Sequence, residues 1–173
     1  MTAGFVPSEI FRQIVRHAPL VSIDLIIEDE SGRILVGLRN NEPAAGVYFV
    51  PGGIVRKDET VQAAFGRIVM AETGLGLEIA GAEFLGVFQH FYETNRFREP
   101  GFGTHYVVLG HRLKLARRPE IVLDDQHSKV LWLTPDEILD APDVHENTKA
   151  YFRPFSRPAG GKNPDLPIVG PTM

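Results

Sequence analysis

The sequence contains no cysteine, which excludes disulfides, thiolate chemistry and cysteine-based zinc sites and is compatible with a reducing compartment. It also lacks a run of basic residues: 18 lysines and arginines stand against 22 aspartates and glutamates, a formal charge of −4. A nucleic-acid binder carries a basic footprint, so none is expected here, and positive groups for an anionic ligand must be local. No apolar stretch approaches the roughly 20 residues of a membrane span. The N-terminus lacks the charged region and apolar core of a secretory signal. The expectation is a soluble, cytoplasmic protein that binds neither nucleic acid nor membrane. There is no internal repeat. A chain of 173 residues fits one domain, able to bury about 70% of the surface it would expose unfolded. That domain is expected over residues 1–152. Proline and glycine recur in residues 153–173, which read as a poorly structured extension.

What is present centres on the stretch from Val50 to Leu75. Pro51, Gly52 and Gly53 end an apolar strand with residues that remove a donor or tolerate unusual backbone angles, so a carbonyl can be turned outward there. Asp58 is placed to cap a helix in which Val61, Ala64, Phe65, Ile68, Val69 and Leu75 recur at helical spacing, with Gly74 as the stop. A fixed polar set runs through this segment: Gly53, Glu59 after five residues, Arg67 after seven more, then Glu72 and Gly74.

That set resembles the Nudix signature, a glycine, five residues, a glutamate, seven residues, then R-E-U-x-E-E-x-G-U with U apolar. Gly53, Glu59, Arg67, Val69, Glu72, Gly74 and Leu75 fit; Ile68 and Ala71 stand where the signature has glutamates. The same erosion marks the GDP-mannose mannosyl hydrolases. The stretches PLVSIDLIIE, VYFVPGG, KDET, GVFQHFY, THYVVLG and DDQH are similar to that subfamily, and the resemblance covers roughly residues 5 to 152. It implies an α/β fold, a mixed β-sheet sandwiched between helices, and a homodimer. It also implies one magnesium ion, with manganese as the alternative, held by the Gly52 carbonyl, Glu72 and Gln126. Such a ligand set is oxygen-rich and suits a hard cation.

Around this motif, Ser8 is placed to cap a short helix striped with Ile10, Phe11, Ile14 and Val15 and closed by Pro19. That helix packs on its own domain or serves as a dimer arm. Leu20 to Glu28 alternates like a strand with one wetter face. Asp24 sits in its middle, where acids are disfavoured. An aspartate on a solvated strand face is ordinary; the resemblance instead places Asp24 in the substrate pocket, against sugar hydroxyls. Asp29 to Gly32 makes a turn, and Ile34 to Leu38 a strand ended by Arg39. In the subfamily that arginine binds diphosphate, for which a forked guanidinium is suited.

Strands follow at Val47–Val50, Phe84–Tyr92, Gly103–Leu115 and Val130–Leu133. The polar segment Glu93–Phe102 is a loop whose only evident role would be as a lid. On resemblance, His90 lies near the leaving phosphate and the Tyr106 hydroxyl donates to a phosphate. In the irregular connection Arg117–Gln126 ending in DDQH, the resemblance implies that Gln126 helps hold the metal and that His127 is the general base. Glu59 pairs with Arg67 in Nudix folds, so Arg67 divides between loop support and charge stabilisation. The subfamily has arginine directly after the two glycines where this chain has Ile54; Arg56 is the candidate replacement. Thr134–Glu137 reads as a capping box, Asp143–Glu146 as another helix start, and His145 as a surface residue.

The reaction implied is magnesium-assisted hydrolysis of a GDP-sugar, GDP-mannose or GDP-glucose, at the anomeric carbon with inversion. Arg39, His90, Tyr106 and Arg67 would spread charge on the leaving diphosphate. A histidine with an unperturbed pKa of about 6.5 suits a base near neutrality. Two alternatives stay open: a Nudix diphosphatase cleaving a P–O bond, and a nucleotide-binding domain without catalysis.

Overall fold

The computed structural model describes residues 6–121 and 127–153. In chain order the elements are helix α1 (Ser8–His17), strands β1 (Leu20–Glu28), β2 (Ile34–Arg39), β3 (Tyr48–Phe49) and β4 (Gly52–Ile54), and helix α2 (Val61–Thr73). They continue with strands β5 (Glu83–Tyr92), β6 (Thr104–Lys114) and β7 (His127–Leu133) and the short helices α3 (Pro135–Asp140) and α4 (Glu146–Lys149). The strands form one mixed sheet in the order β3-β2-β1-β6-β5, with β4 joined to β1 and β7 to β2. This is the α/β architecture expected. The proline- and glycine-rich tail beyond Arg153 and Gln126 lie outside the described residues.

β1 is the hub because its side chains are apolar on both faces. Ile23, Leu25 and Ile27 pack with Ala64, Phe65, Ile68 and Val69 of α2. Ile26 points the other way, into a cluster with Ile34, Val36, Tyr48, Val50, Ile138 of α3 and Val144. Full burial of each such side chain contributes about 1.5–3 kcal/mol. The face expected to be wetter is so only in part: Asp24 and Glu28 are half-buried where Ile23, Leu25 and Ile27 on the other face are fully buried, but Leu20 and Ser22 are buried as well. A central strand covered on each side keeps little solvated surface.

Local capping corrects three expectations. α1 starts at Ser8, but its N-cap is Pro7 and no side chain caps it. α2 is capped by Thr60, whose hydroxyl accepts from the Ala63 N–H at 3.2 Å. Asp58 instead occupies the turn before it, at a φ of 62°, where it is too far upstream to reach the free amides of the first turn. The third correction is α4, which begins after His145 rather than Asp143; the His145 ring accepts from the Asn147 N–H. The Thr134–Glu137 capping box is present, and Gly74 closes α2 in the left-handed conformation at φ 71°.

Strand register gathers the functional positions at one end of the sheet. β1 and β6 run parallel from Leu20 opposite Tyr106, while β5 runs back so that His90 is opposite Tyr106. β2 ends with Arg39 opposite His127, the first residue of β7. His127 thus opens a strand that was expected to begin only at Val130.

At the sheet's opposite end Asp29 is buried in the β1–β2 turn. Its Oδ1 accepts from the Ser31 N–H, the Ser31 hydroxyl and the Arg33 N–H, and Arg118 donates to Oδ2 at 2.7 Å. Burial alone would raise its pKa, but the hydrogen bonds from Arg33, Ser31 and Arg118 hold it well below the usual carboxylate range. Asp29→Ala should therefore destabilise the fold by about 3 kcal/mol, read as a lower denaturant midpoint with an unchanged slope. A midpoint equal to the parent protein would contradict this role for the turn.

Candidate active site

The site grows from β4, which was expected to be part of a loop. Gly52, Gly53 and Ile54 pair antiparallel with Asp24, Ile23 and Ser22. Leu25 N–H donates to the Pro51 carbonyl and Val55 N–H to the Val21 carbonyl. By the alternation of an antiparallel ladder, the Ile23–Gly53 pair exchanges hydrogen bonds and the carbonyls of Gly52 and Ile54 point away from β1. The outward carbonyl expected near the glycines is thus produced by strand register. Ile54's accepts from Arg67 at 2.9 Å.

Both glycines are required by close approach. A Cβ on Gly52 would fall 2.6 Å from Asp24 Oδ1 and 2.7 Å from the Ile23 carbonyl. On Gly53 it would fall 3.0 Å from Ile68 Cγ1. The helix thus lies against the strand with Ile68 over Gly53 and Arg67 on Ile54. Glu72 lies one turn beyond Ile68 on the same face of α2.

Arg67 is committed to this scaffold. Its guanidinium donates to both Glu59 oxygens, at 2.7 and 2.8 Å, as well as to Ile54. Glu59 also caps the Arg56 N–H at 3.0 Å. Arg67, with burial opposing, and the Arg56 N–H and charge hold the Glu59 pKa low. Arg56 therefore sits on the turn that Glu59 closes, with its charge beside that carboxylate.

The donors for a cation can be tested against these positions. Ile68, where the signature has an acid, is a core side chain, and Ala71 is exposed and offers no oxygen. Glu72 is 8% exposed, which a carboxylate tolerates when a counter-charge compensates it. No group of three or more acidic or histidine side chains among the described residues could hold a metal. The Glu72 carboxylate and the outward Gly52 carbonyl are oxygen donors of the kind a hard cation takes, while Gln126 lies outside the described residues.

On the face of β1 away from α2, Asp24 Oδ2 accepts from the Tyr151 hydroxyl at 2.8 Å and stands 4.0 Å from His90 Nδ1. Its side chain is 16% exposed. Burial pushes its pKa up to about 6, opposed by the Tyr151 hydrogen bond and the Arg39 charge. His90 is depressed to about 4 by burial and by His145. It is therefore neutral near pH 7, with one ring nitrogen a donor and the other an acceptor. His90 Nε2 is buried without a hydrogen-bond partner among the described residues, an uncompensated polar atom.

Arg39 lies over the Phe49 ring at 5.4 Å. Its charge acts on Asp24 and on the Tyr92 and Tyr106 hydroxyls. Burial raises the Tyr106 pKa, against the charges of Arg39 and Arg96, so this hydroxyl stays a donor. His145, expected at the surface, is half-buried: it stacks on Phe49 at 4.4 Å and approaches Tyr92 at 5.4 Å. Sequence reasoning missed Tyr151 and His145. The alternation that marks strand residues carries no information about a segment 127 positions downstream of Asp24.

The family model described as NUDIX domain matches residues 18–154. The low-salt glycan biosynthesis protein Agl8 of Haloferax volcanii is 38% identical over 130 residues, covering 75% of this chain and 80% of that protein. An ADP-ribose pyrophosphatase of Methanocaldococcus jannaschii is 44% identical over 57 residues, a third of each chain. The crystal structure of a MutT NUDIX hydrolase from Burkholderia pseudomallei superposes with a TM-score of 0.63 at 29% identity, covering 79% of this chain and 97% of that one.

Because its folded-state pKa is raised, Asp24 binds its proton more tightly in the folded than in the unfolded chain. Its contribution to stability therefore falls as pH rises from about 4 to about 6. The carbon-13 resonance of its carboxyl should titrate with a midpoint about 6. In Tyr151→Phe, which removes a hydrogen bond to the ionised form, that midpoint should move higher. An unshifted or lowered midpoint would show that Tyr151 does not hold the carboxylate.

Proposed function

The chain belongs to the Nudix family, and on that premise we propose that this Nudix hydrolase releases a free hexose from a GDP-sugar, GDP-mannose or GDP-glucose, by cleavage of the C–O bond at the anomeric carbon. The observation that carries this reading is the fate of the acids: Ile68 is part of the apolar core and Ala71 is exposed. Hydrolysis between phosphorus atoms leans on a fuller metal cluster. Departure of a diphosphate from a sugar carbon needs charge balance and an activated water. Identity to a protein named for glycan biosynthesis over most of both chains favours a sugar-linked substrate.

In this reading Arg39 binds the diphosphate through its forked guanidinium, and Tyr106 donates a hydrogen bond to a phosphate oxygen. Asp24 accepts from sugar hydroxyls, oriented by Tyr151. His90 offers its N–H near the leaving oxygen. Arg67 acts at one remove, holding the Glu59 turn and the Ile54 carbonyl, with Arg56 beside it. Magnesium, or manganese, seated on the Gly52 carbonyl, Glu72 and Gln126, would supply positive charge to the diphosphate when bound. His127, next to Arg39 in the β2–β7 ladder, takes a proton from water as the water oxygen bonds to the anomeric carbon. The electron pair of the broken C–O bond leaves with GDP, and the single displacement inverts the centre. Inverting glycosidases more often use two carboxylates; here histidine replaces the base, and the charged diphosphate needs little protonation to leave.

The segment shared with an ADP-ribose pyrophosphatase favours a second reading, cleavage of a P–O bond to give a nucleoside monophosphate and a sugar phosphate. Turnover of GDP-mannose and GDP-glucose in oxygen-18 water separates the two. The proposed reaction places the label in free hexose, with unlabelled GDP as co-product, whereas label in a phosphate would establish the second. His127→Ala should slow hexose release by about 100- to 10,000-fold, and unchanged release would remove His127 as the base.

A further inference from the structure

The loop between β5 and β6 was expected to act, if at all, as a lid, but it is pinned. Asn95 is fully buried; its amide donates to the carbonyls of Glu99 and Phe102, and its oxygen accepts from the N–H groups of Phe97 and Glu99. Phe97 packs on Phe11 of α1 with ring centroids 6.1 Å apart, and Arg12 pairs with Glu99 at 3.5 Å. Thr94 donates to Glu42 at 2.9 Å, tying this loop to the one that follows Arg39. Thr104 donates to the Thr94 carbonyl where β6 begins. The loop is thus fixed at the end of the sheet that carries His90, Tyr106 and Arg39.

Arg96 follows the buried Asn95 directly. Its guanidinium lies 5.7 Å from the centre of the Phe11 ring, so its direction is set by an aromatic face rather than by an acid. Among the described residues neither Arg96 nor Arg39 forms an ion pair, and both charges act on the Tyr106 hydroxyl. A diphosphate carries at least two negative charges, and Ile54 contributes none to balance them on the face that holds Gly52 and Asp24. Arg56 is engaged at the Glu59 turn.

We propose that Arg96 is a second diphosphate-binding residue, held by the pinned β5–β6 loop at the end of the sheet that carries Arg39. This deepens the proposed reading of the site and rests on its being a site for a nucleoside diphosphate. The loop's role is then to present a fixed charge, since ordering it on each encounter would weaken binding.

The test is calorimetric titration of the full chain with GDP, GMP and guanosine in the presence of magnesium. Arg96→Gln should bind GDP about tenfold more weakly, lose less with GMP, keep its affinity for guanosine and keep the parent melting temperature. Arg98→Gln, the same charge change two residues on, should stay within about threefold for GDP. GDP binding by Arg96→Gln at parental strength would overturn the proposal. So would equal weakening by Arg98→Gln, which would mean a diffuse field, or equal loss of guanosine, which would mean a displaced loop. A parent chain that fails to bind GDP sinks the nucleotide reading as well, which sets that failure apart from a failure of Arg96 alone.

Discussion

The site depends on how closely β4 is pressed between β1 and α2. Gly52 has Asp24 Oδ1 in the space a side chain would fill, and Gly53 has Ile68 on its other face. Three short segments are therefore locked in mutual register, and the Glu59–Arg67 pair with its bond to Ile54 clamps the helix onto the strand. A side chain at Gly53 would press on Ile68 and the helix, and one at Gly52 would collide with Asp24 and the Ile23 carbonyl of β1. Interiors packed at crystal-like density transmit such displacements rather than absorbing them.

The same packing accounts for the apolar residue at position 68, though not for the exposed Ala71. A glutamate at position 68 would have to place its carboxylate among Ile23, Leu25, Phe65 and Val69, where an unpaired charge is costly. The apolar residue there strengthens the core and leaves Glu72 as the acidic donor on that face of α2. Chemistry on the other face follows a different logic. Asp24, His90 and the tyrosines are polar groups kept from water, with proton affinities set first by burial. Near neutrality this yields a carboxylate that titrates close to the working range, a neutral imidazole and protonated phenols, a set that can exchange hydrogen bonds with a neutral sugar. Positive charge enters from Arg39 at the strand end.

Long, locally encoded features were legible in the sequence. The spacing of Val61, Phe65, Ile68 and Val69 marked α2, and the capping box marked α3, because both are signals within a few residues. The Glu59–Arg67 pairing followed from the motif. The β4 strand was not legible: three residues beginning Gly-Gly read as a loop, and only contact with β1 makes them a strand. Thr60 displaced Asp58 as the cap because the helix begins at Val61, two residues later than a cap at Asp58 implies, a boundary that spacing does not fix. His145 and Tyr151 escaped for a further reason. Their roles arise from the return of the chain over the sheet: the Tyr48 and His145 N–H groups donate to the carbonyls of Asp143 and Tyr48. Such long-range closure leaves no periodic trace.

In the proposed reading, burial of Ile68 and the lack of an oxygen at Ala71 leave Glu72 to seat a single hard cation. Counting manganese ions bound per chain by electron paramagnetic resonance, with GDP present, tests it most directly. One ion is expected, lost in Glu72→Gln. Two or more ions, or one that survives that substitution unchanged, would contradict it.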